Sequence, residues 1–287
     1  MGPAPRAGGR PGDRQLSDIL AGQSADPSAL AELYDLEHDE ITGDLGFYRE
    51  LTRRHAGRVI DLGCGSARLF STFLEGGATE IVGIDGSPAL LARADARIES
   101  DPDLRAARAD GRIELVLADV RRAPRRDRFA LAVLSGVIGH LEGPEEAVQA
   151  LSTARRLLEP DGVVVIDTLG PGGLPPHDLP LSVDWERSVD GRTIVRRSQL
   201  VRRDAPEGLS VNYSTLTDLA EADGTISRLP ASFRLWYPSS VALVALAAEA
   251  ELEVEAVFGS HDLDPLVADS ERCIVVARSA ASDSGER

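Results

Sequence analysis

The sequence predicts an α/β fold: a doubly wound, mostly parallel sheet of seven strands, with an antiparallel β cap inserted after the fifth. Three observations carry this. Between Arg58 and Ile166, short aliphatic runs alternate with helix-patterned segments, the rhythm of a parallel sheet covered on both faces. Residues 170–237 then abandon that rhythm for Pro- and Gly-rich punctuation and period-two strands. At 287 residues, with 43% apolar and 27% charged side chains, the chain can bury one large core.

The elements follow in order. Residues 1–25 hold turn formers without periodicity and read as a disordered arm, as does the tail 279–287, leaving 26–278 as the folded domain. Asp26-Pro27 is an N-cap followed by proline, and opens a helix carrying Leu30, Leu33 and Tyr34. A second helix starts near Asp44, carries Leu45, Tyr48 and Leu51, and stops before Gly57. Strands are expected at 58–62, 81–84, 113–117, 129–134 and 163–166, with helices at 67–74, 88–98 and 145–158. Three cap strands, 193–202, 209–216 and 232–237, are separated by turns at Asp204-Ala-Pro and Asp223-Gly224. A helix after Pro238 and strands at 252–258 and 272–277 close the domain.

Charge excludes several function classes. The 31 basic residues are all arginine and face 47 acidic ones, for a net charge of −16. Phosphate backbones and anionic lipid repel such a chain, so neither nucleic acid nor membrane is an expected partner. Without lysine there is no Schiff base, no P-loop lysine and no Tyr-x-x-x-Lys pair. Cys64 and Cys273 are too isolated for a disulfide framework and fit a reducing compartment. No apolar h-region follows Met1, and the apolar run 241–248 stops at Glu249, so a soluble cytoplasmic protein is expected. Self-association stays open.

The strongest signal is Val59-Ile-Asp-Leu-Gly-Cys-Gly-Ser-Ala-Arg-Leu69. Gly63, Cys64 and Gly65 form a turn at the carboxyl end of the first strand, where ligands bind in open α/β sheets. Asp85 ends the second strand, 20 residues after Gly65, where a carboxylate can accept from both ribose hydroxyls. A dinucleotide site wants a third glycine where Arg68 stands. Asp61 and Asp119 add two more carboxylates. Three acids repel a pyrophosphate but suit an adenosyl sulfonium bearing an ammonium group. Asp119 has two readings: an acceptor for the adenine amino group, or a helix N-cap.

These residues, with the Ile84-Asp-Gly-Ser-Pro88, Ala118-Asp-Val120 and Leu158-Glu-Pro-Asp-Gly162 turns, resemble the class I S-adenosylmethionine-dependent methyltransferases over roughly residues 30–278. The antiparallel insertion is similar to that of the small-molecule branch with glycine and aminosugar N-methyltransferases. The resemblance implies a Rossmann-like sheet and S-adenosyl-L-methionine as cofactor. It implies that Gly63 and Gly65 line the methionine part, with Asp61 near its ammonium group. It further implies Asp85 at the ribose, Gly86 and Ser87 beside the adenine, and Asp119 with the Val120 amide at the adenine edge. Ser135 would offer its backbone to the methionine amine, and Tyr34 would close the pocket. Ala67 departs from the family, which usually has a third glycine there.

Methyl transfer from a sulfonium is an in-line displacement, so the protein aligns the groups and excludes water. A hydroxyl acceptor needs a general base, whereas an amine needs only to arrive unprotonated. His140, five residues after Ser135, is the candidate catalytic residue; the alternative is a histidine that packs or caps the next helix. His38, His55 and His261 read as solvated surface, and His177 as part of a flexible loop. No metal-ligand spacing occurs, so no metal is expected. In the cap, Tyr213, Arg234, Trp236 and Tyr237 are the substrate candidates, with Arg234 and Trp236 on one strand face. Arg196-Arg197 and Arg202-Arg203 read either as an anion grip or as solvated charge. The combined expectation is an S-adenosylmethionine-dependent transfer of methyl to an amine or hydroxyl of a small molecule, in specialised metabolism such as antibiotic biosynthesis. Two alternatives stand beside it: a nicotinamide-dependent oxidoreductase, and a non-catalytic protein that binds S-adenosylmethionine.

Overall fold

A computed structural model of the chain describes residues 25–205 and 207–280. The arm expected over 1–25 lies outside that range except for Ala25, and so does the tail beyond Ala280. Five strands run parallel: β1 (Arg58–Leu62), β2 (Glu80–Asp85), β3 (Ile113–Leu117), β4 (Phe129–Ser135) and β5 (Leu158–Leu169). Near the end of the chain come β10 (Leu252–Phe258) and β11 (Arg272–Ser279), and β11 inserts antiparallel between β5 and β10. The sheet order is β10-β11-β5-β4-β1-β2-β3, so the order reverses beside β1. That reversal opens a crevice at the carboxyl ends of β1 and β4.

Both faces are covered because the strands alternate two apolar sets. Ile60, Leu62, Ile84, Leu134 and Ile166 pack with α6 (Pro144–Arg156) and α7 (Ser240–Glu249). Val59, Ile81, Leu131, Val133 and Val165 pack on the other side with α2 (Leu45–Arg54), α3 (Phe70–Glu75), α4 (Pro88–Ser100) and α5 (Pro102–Ala109). α1 (Pro27–His38) opens where the Asp26 carboxylate accepts from the Ser28 amide (3.0 Å) and Pro27 fills the first turn. A second sheet has four strands in sequence order: β6 (Leu179–Val189), β7 (Arg192–Ala205), β8 (Gly208–Ala220) and β9 (Ile226–Pro238). Compactness divides the chain into two units. One holds Asp178–Val201 and Asn212–Phe233; the other holds Asp26–His177, Arg202–Val211 and the segment from Arg234 on.

The expected doubly wound sheet of seven strands with an antiparallel insertion is present, and four details differ. β6 lies in a stretch read as loop because of the Pro- and Gly-rich run before it, although Leu179, Leu181, Val183, Trp185 and Val189 alternate at period two; it is an edge strand whose side chains are half-buried or exposed. The missed signal was Asp190-Gly191, an Asp-Gly hairpin whose two residues both take positive φ (50° and 79°). α5 was passed over although Asp101 caps it, accepting from the amides of Asp103 and Leu104. α3 begins at Phe70 rather than Ala67, because Ala67 sits at φ 62°, outside the helical region. β5 begins at Leu158, with the Pro160-Asp-Gly162 turn accommodated as an irregularity against β4.

Candidate functional site

Gly63, Cys64 and Gly65 leave β1 at the reversal of strand order. The amides of Gly63 and Cys64 both donate to the Ile84 carbonyl (2.7 and 3.0 Å), folding the turn back onto β2. Gly63 takes φ +89°, and a Cβ there would meet Val137 at 2.3 Å, so only glycine fits. Asp85 is locked beside this turn: Oδ2 accepts from the Gly65 amide (2.9 Å) and Oδ1 from the Ser87 amide (2.8 Å). A carboxylate has about four acceptor sites, so two remain for a diol.

Asp61 is the most unusual group. Its carboxyl is buried at 3% exposure, and burial, then the neighbouring Asp85 charge, push its pKa up to about 7; Arg68 opposes them. A buried anion in this state calls for an external cation. Arg68 itself is held elsewhere, donating to the Ile41 carbonyl (2.8 Å) and pairing with buried Asp44. Tyr34 of α1 reaches over the turn, its hydroxyl 3.1 Å from where a Gly65 Cβ would stand. Burial pushes its pKa to about 12, so it stays a donor.

The remaining cofactor candidates divide. Cys64 turns its thiol into the core against Gly83 and Phe70, and its amide and carbonyl are engaged by the Ile84 carbonyl and the Ala67 amide, so its part is to shape the turn. The Ser87 hydroxyl caps α4, accepting from the Leu90 amide (3.3 Å), while Gly86 beside it is exposed. Asp119 caps the short turn Val120–Arg122, accepting from the Arg121 amide (2.9 Å) and guanidinium, which hold its pKa below the ordinary value. The N-cap reading therefore holds for Asp119, with Val120 half-buried next to it. Ser135 ends β4, half-buried and in register with Asp167.

His140 closes the turn Ile138–His140 with solvent access at its ring. The protein around it lowers its pKa below 6.5; Asp85 pulls the other way and His38 adds to the lowering. Such an imidazole is neutral at pH 7 and free to accept a proton. Tyr237 packs on this turn, 2.8 Å from where a Gly139 Cβ would stand. Trp236 is buried at 3% exposure, in the core with Leu243 and Leu246. Arg234 is exposed, although alternation puts it on Trp236's face. Tyr213 belongs to the other unit, where its hydroxyl accepts from Arg196 (3.1 Å). Arg197 there is neutralised by Asp218, so the paired-arginine anion grip is not assembled from it.

Two histidines read as surface are not. His38 stacks on Tyr34 (3.8 Å between centroids), and its Nδ1–H donates to the Tyr34 carbonyl (2.8 Å). His261 donates from Nε2 to the buried Asp167 carboxylate (2.8 Å), which also accepts from the Tyr48 hydroxyl (2.8 Å) and Arg272 Nε (2.9 Å). The His38 pair had a readable signal, a Tyr and a His four apart on one helix. The Asp167 cluster had none, since its members lie up to 119 residues apart. His261 also borders a cavity of about 430 Å³ with Phe47, His55 and Glu255, on the α2 side of β10.

Residues 59–162 match the family described as Methyltransferase domain. Over 209 residues the chain is 31% identical to the dTDP-3-amino-3,6-dideoxy-α-D-glucopyranose N,N-dimethyltransferase of Streptomyces fradiae, a match covering 69% of this chain and 75% of that one. The chain belongs to the class I S-adenosylmethionine-dependent methyltransferases. The likeness in fold extends further. The CcbJ methyltransferase of Streptomyces caelestis superposes with TM-score 0.66 at 22% identity, covering 88% of this chain and 96% of that one. DesVI of Streptomyces venezuelae gives TM-score 0.68 at 20% identity, covering 90% and 100%.

The methyltransferase takes S-adenosylmethionine as cofactor, and its donor set fits that molecule. Buried Asp61 offers an anion to a cation, Asp85 retains acceptor capacity for a diol, and the glycines allow close approach. Membership disposes of the nicotinamide alternative, in agreement with Arg68 at the third-glycine position. Among the described residues, no helix is long and apolar enough to cross a membrane.

Proposed function

We propose that the methyltransferase transfers methyl groups to the amino group of a nucleotide-linked deoxyaminosugar, in antibiotic-type specialised metabolism. One observation carries this reading: the 31% identity to a sugar N,N-dimethyltransferase across 75% of that enzyme's length. A sugar N-methyltransferase of a Streptoalloteichus species adds support from fold, at TM-score 0.68, 18% identity and coverage of 98% and 100%. Two free, buried cysteines fit a cytoplasmic setting.

The bound cofactor supplies a methyl carbon activated by its positive sulfur. The chain's own part is positional. Asp61 and the Ser135 strand end hold the cationic end, Asp85 the sugar of the nucleoside, and Tyr34 covers the glycine turn. His140, neutral at pH 7, accepts the proton that an amine must lose before or after each methylation. Tyr237 fixes the turn carrying it. Arg234 and Tyr213 are assigned to acceptor recognition, and 170–237 to an acceptor cap.

The test is incubation with S-adenosylmethionine and dTDP-3-amino-3,6-dideoxyglucose, read by mass spectrometry. Addition of one and two methyl masses is expected. Release of S-adenosylhomocysteine only with hydroxyl acceptors would overturn the aminosugar assignment.

A further inference from the structure

Two buried carboxylates flank Ser135, and the chain treats them oppositely. Asp61 on β1, Ser135 on β4 and Asp167 on β5 occupy neighbouring strands; Asp61 pairs with Val133, and Ser135 with Asp167. Alternation with Val59, Val133 and Val165 turns all three toward the side that packs α2. Asp167, 1% exposed, is saturated: Tyr48 and His261 donate to Oδ2, and Arg272 donates to Oδ1. The Asp167 carbonyl accepts from the Gly136 amide (2.9 Å), holding the turn that follows β4. Among the described residues no donor is found for Asp61, which feels the repelling charge of Asp85 and the opposing charge of Arg68.

We propose that the hub of Tyr48, Asp167, His261 and Arg272 positions the Ser135–Gly136 strand end to receive the ammonium group of the cofactor's methionine moiety. Saturation matters in two ways. A carboxylate with four hydrogen bonds and a guanidinium partner does not compete with Asp61 for the incoming cation. The hub also ties the ends of β4 and β5 to α2 and to the loop after β10, so the strand end is rigid before the ligand arrives. These four are positioning residues; Ser135 and Asp61 make the contact.

The experiment compares two ligands by calorimetry on the full chain. One is S-adenosylhomocysteine; the other is 5′-S-(3-carboxypropyl)-5′-thioadenosine, the same molecule without its amine. Tyr48→Phe should weaken S-adenosylhomocysteine about 5- to 30-fold, the effect of one lost charge-assisted hydrogen bond transmitted to the site. The deaminated ligand should change less than about twofold, since it makes no demand on that strand end. His261→Asn, at the partly exposed edge of the hub, should give the same selective loss and decides the matter if Tyr48→Phe fails to fold. Equal losses for both ligands, or none, would show a merely structural cluster and overturn the proposal. Failure of the wild type to bind either ligand would overturn the cofactor site itself, and this proposal with it.

Discussion

Asp61 shows how a functional residue can cost stability. Burial pushes its pKa up to about 7 from the ordinary 3.8, so folding favours the protonated form. The stability it contributes is therefore complete below about pH 4 and is lost as pH rises through 7. Asp61→Asn should flatten that decline, raising the melting temperature of the ligand-free protein at pH 8. The same change should weaken S-adenosylhomocysteine at least about tenfold, because the anion is gone. Ala67 poses a smaller problem. Its left-handed backbone costs about 1–2 kcal/mol, which glycine would relieve. Glycine would also forfeit a buried methyl worth about 0.8 kcal/mol and lose more chain entropy. The two nearly cancel, so Ala67→Gly should leave thermal stability within about 2 °C in calorimetry, whereas branched Ala67→Val should destabilise by more than about 2 kcal/mol. For His140, the surrounding protein lowers the pKa and so places its acid limb below pH 6.5; kcat against pH should show that limb, and His140→Gln should abolish it. The limb of the substrate amine should remain in both.

At the scale of elements, α1 buries Ala31 and Leu33 and is latched by charge as well. Asp35, 8% exposed at its side chain, accepts from Arg93 (2.6 Å) and Arg97 (3.4 Å) of α4, and Arg97 also reaches Asp39 and the Ser66 carbonyl of the cofactor turn. Asp35→Ala removes the buried acceptor of Arg93 and one of three partners of Arg97, and should raise the dissociation constant for S-adenosylhomocysteine about tenfold. Asp39→Ala, exposed and redundant, should stay within about twofold. The sequence made the parallel strands, the glycine turn and the three acids legible because each obeys a local rule: aliphatic runs, positive-φ glycine, a carboxylate at a strand end. Its Pro- and Gly-rich run over 170–180 obscured β6, although Leu179, Leu181, Val183 and Trp185 alternate there and Asp190-Gly191 announced the hairpin. It hid α1's latch as well, because arginines on α4 look solvated until the partner helix is placed.

At the scale of the whole molecule, legibility ended where contacts became long-range. Asp167 appeared only as the end of an apolar run, and its partners Tyr48, His261 and Arg272 come from three other elements. The burial of Trp236 was hidden for a related reason: period-two alternation gives a face but not what covers it. β11 illustrates the same distance with a different result. It pairs with β5 through seven residues, from Arg272↔Leu169 to Arg278↔Val163, and fills the gap before β10. Until the ribosome has made residues 272–279, the flank of β5 has no partner and offers a long aliphatic edge to any passing chain. A version ending at residue 271 should therefore pellet in a sedimentation assay, and adding back a peptide of 272–280 during refolding should return part of it to the supernatant. Among the described strands, β11 follows β5 by more than a hundred residues and is the one that seals its edge, which makes birth, rather than heat, the moment of greatest hazard for this fold.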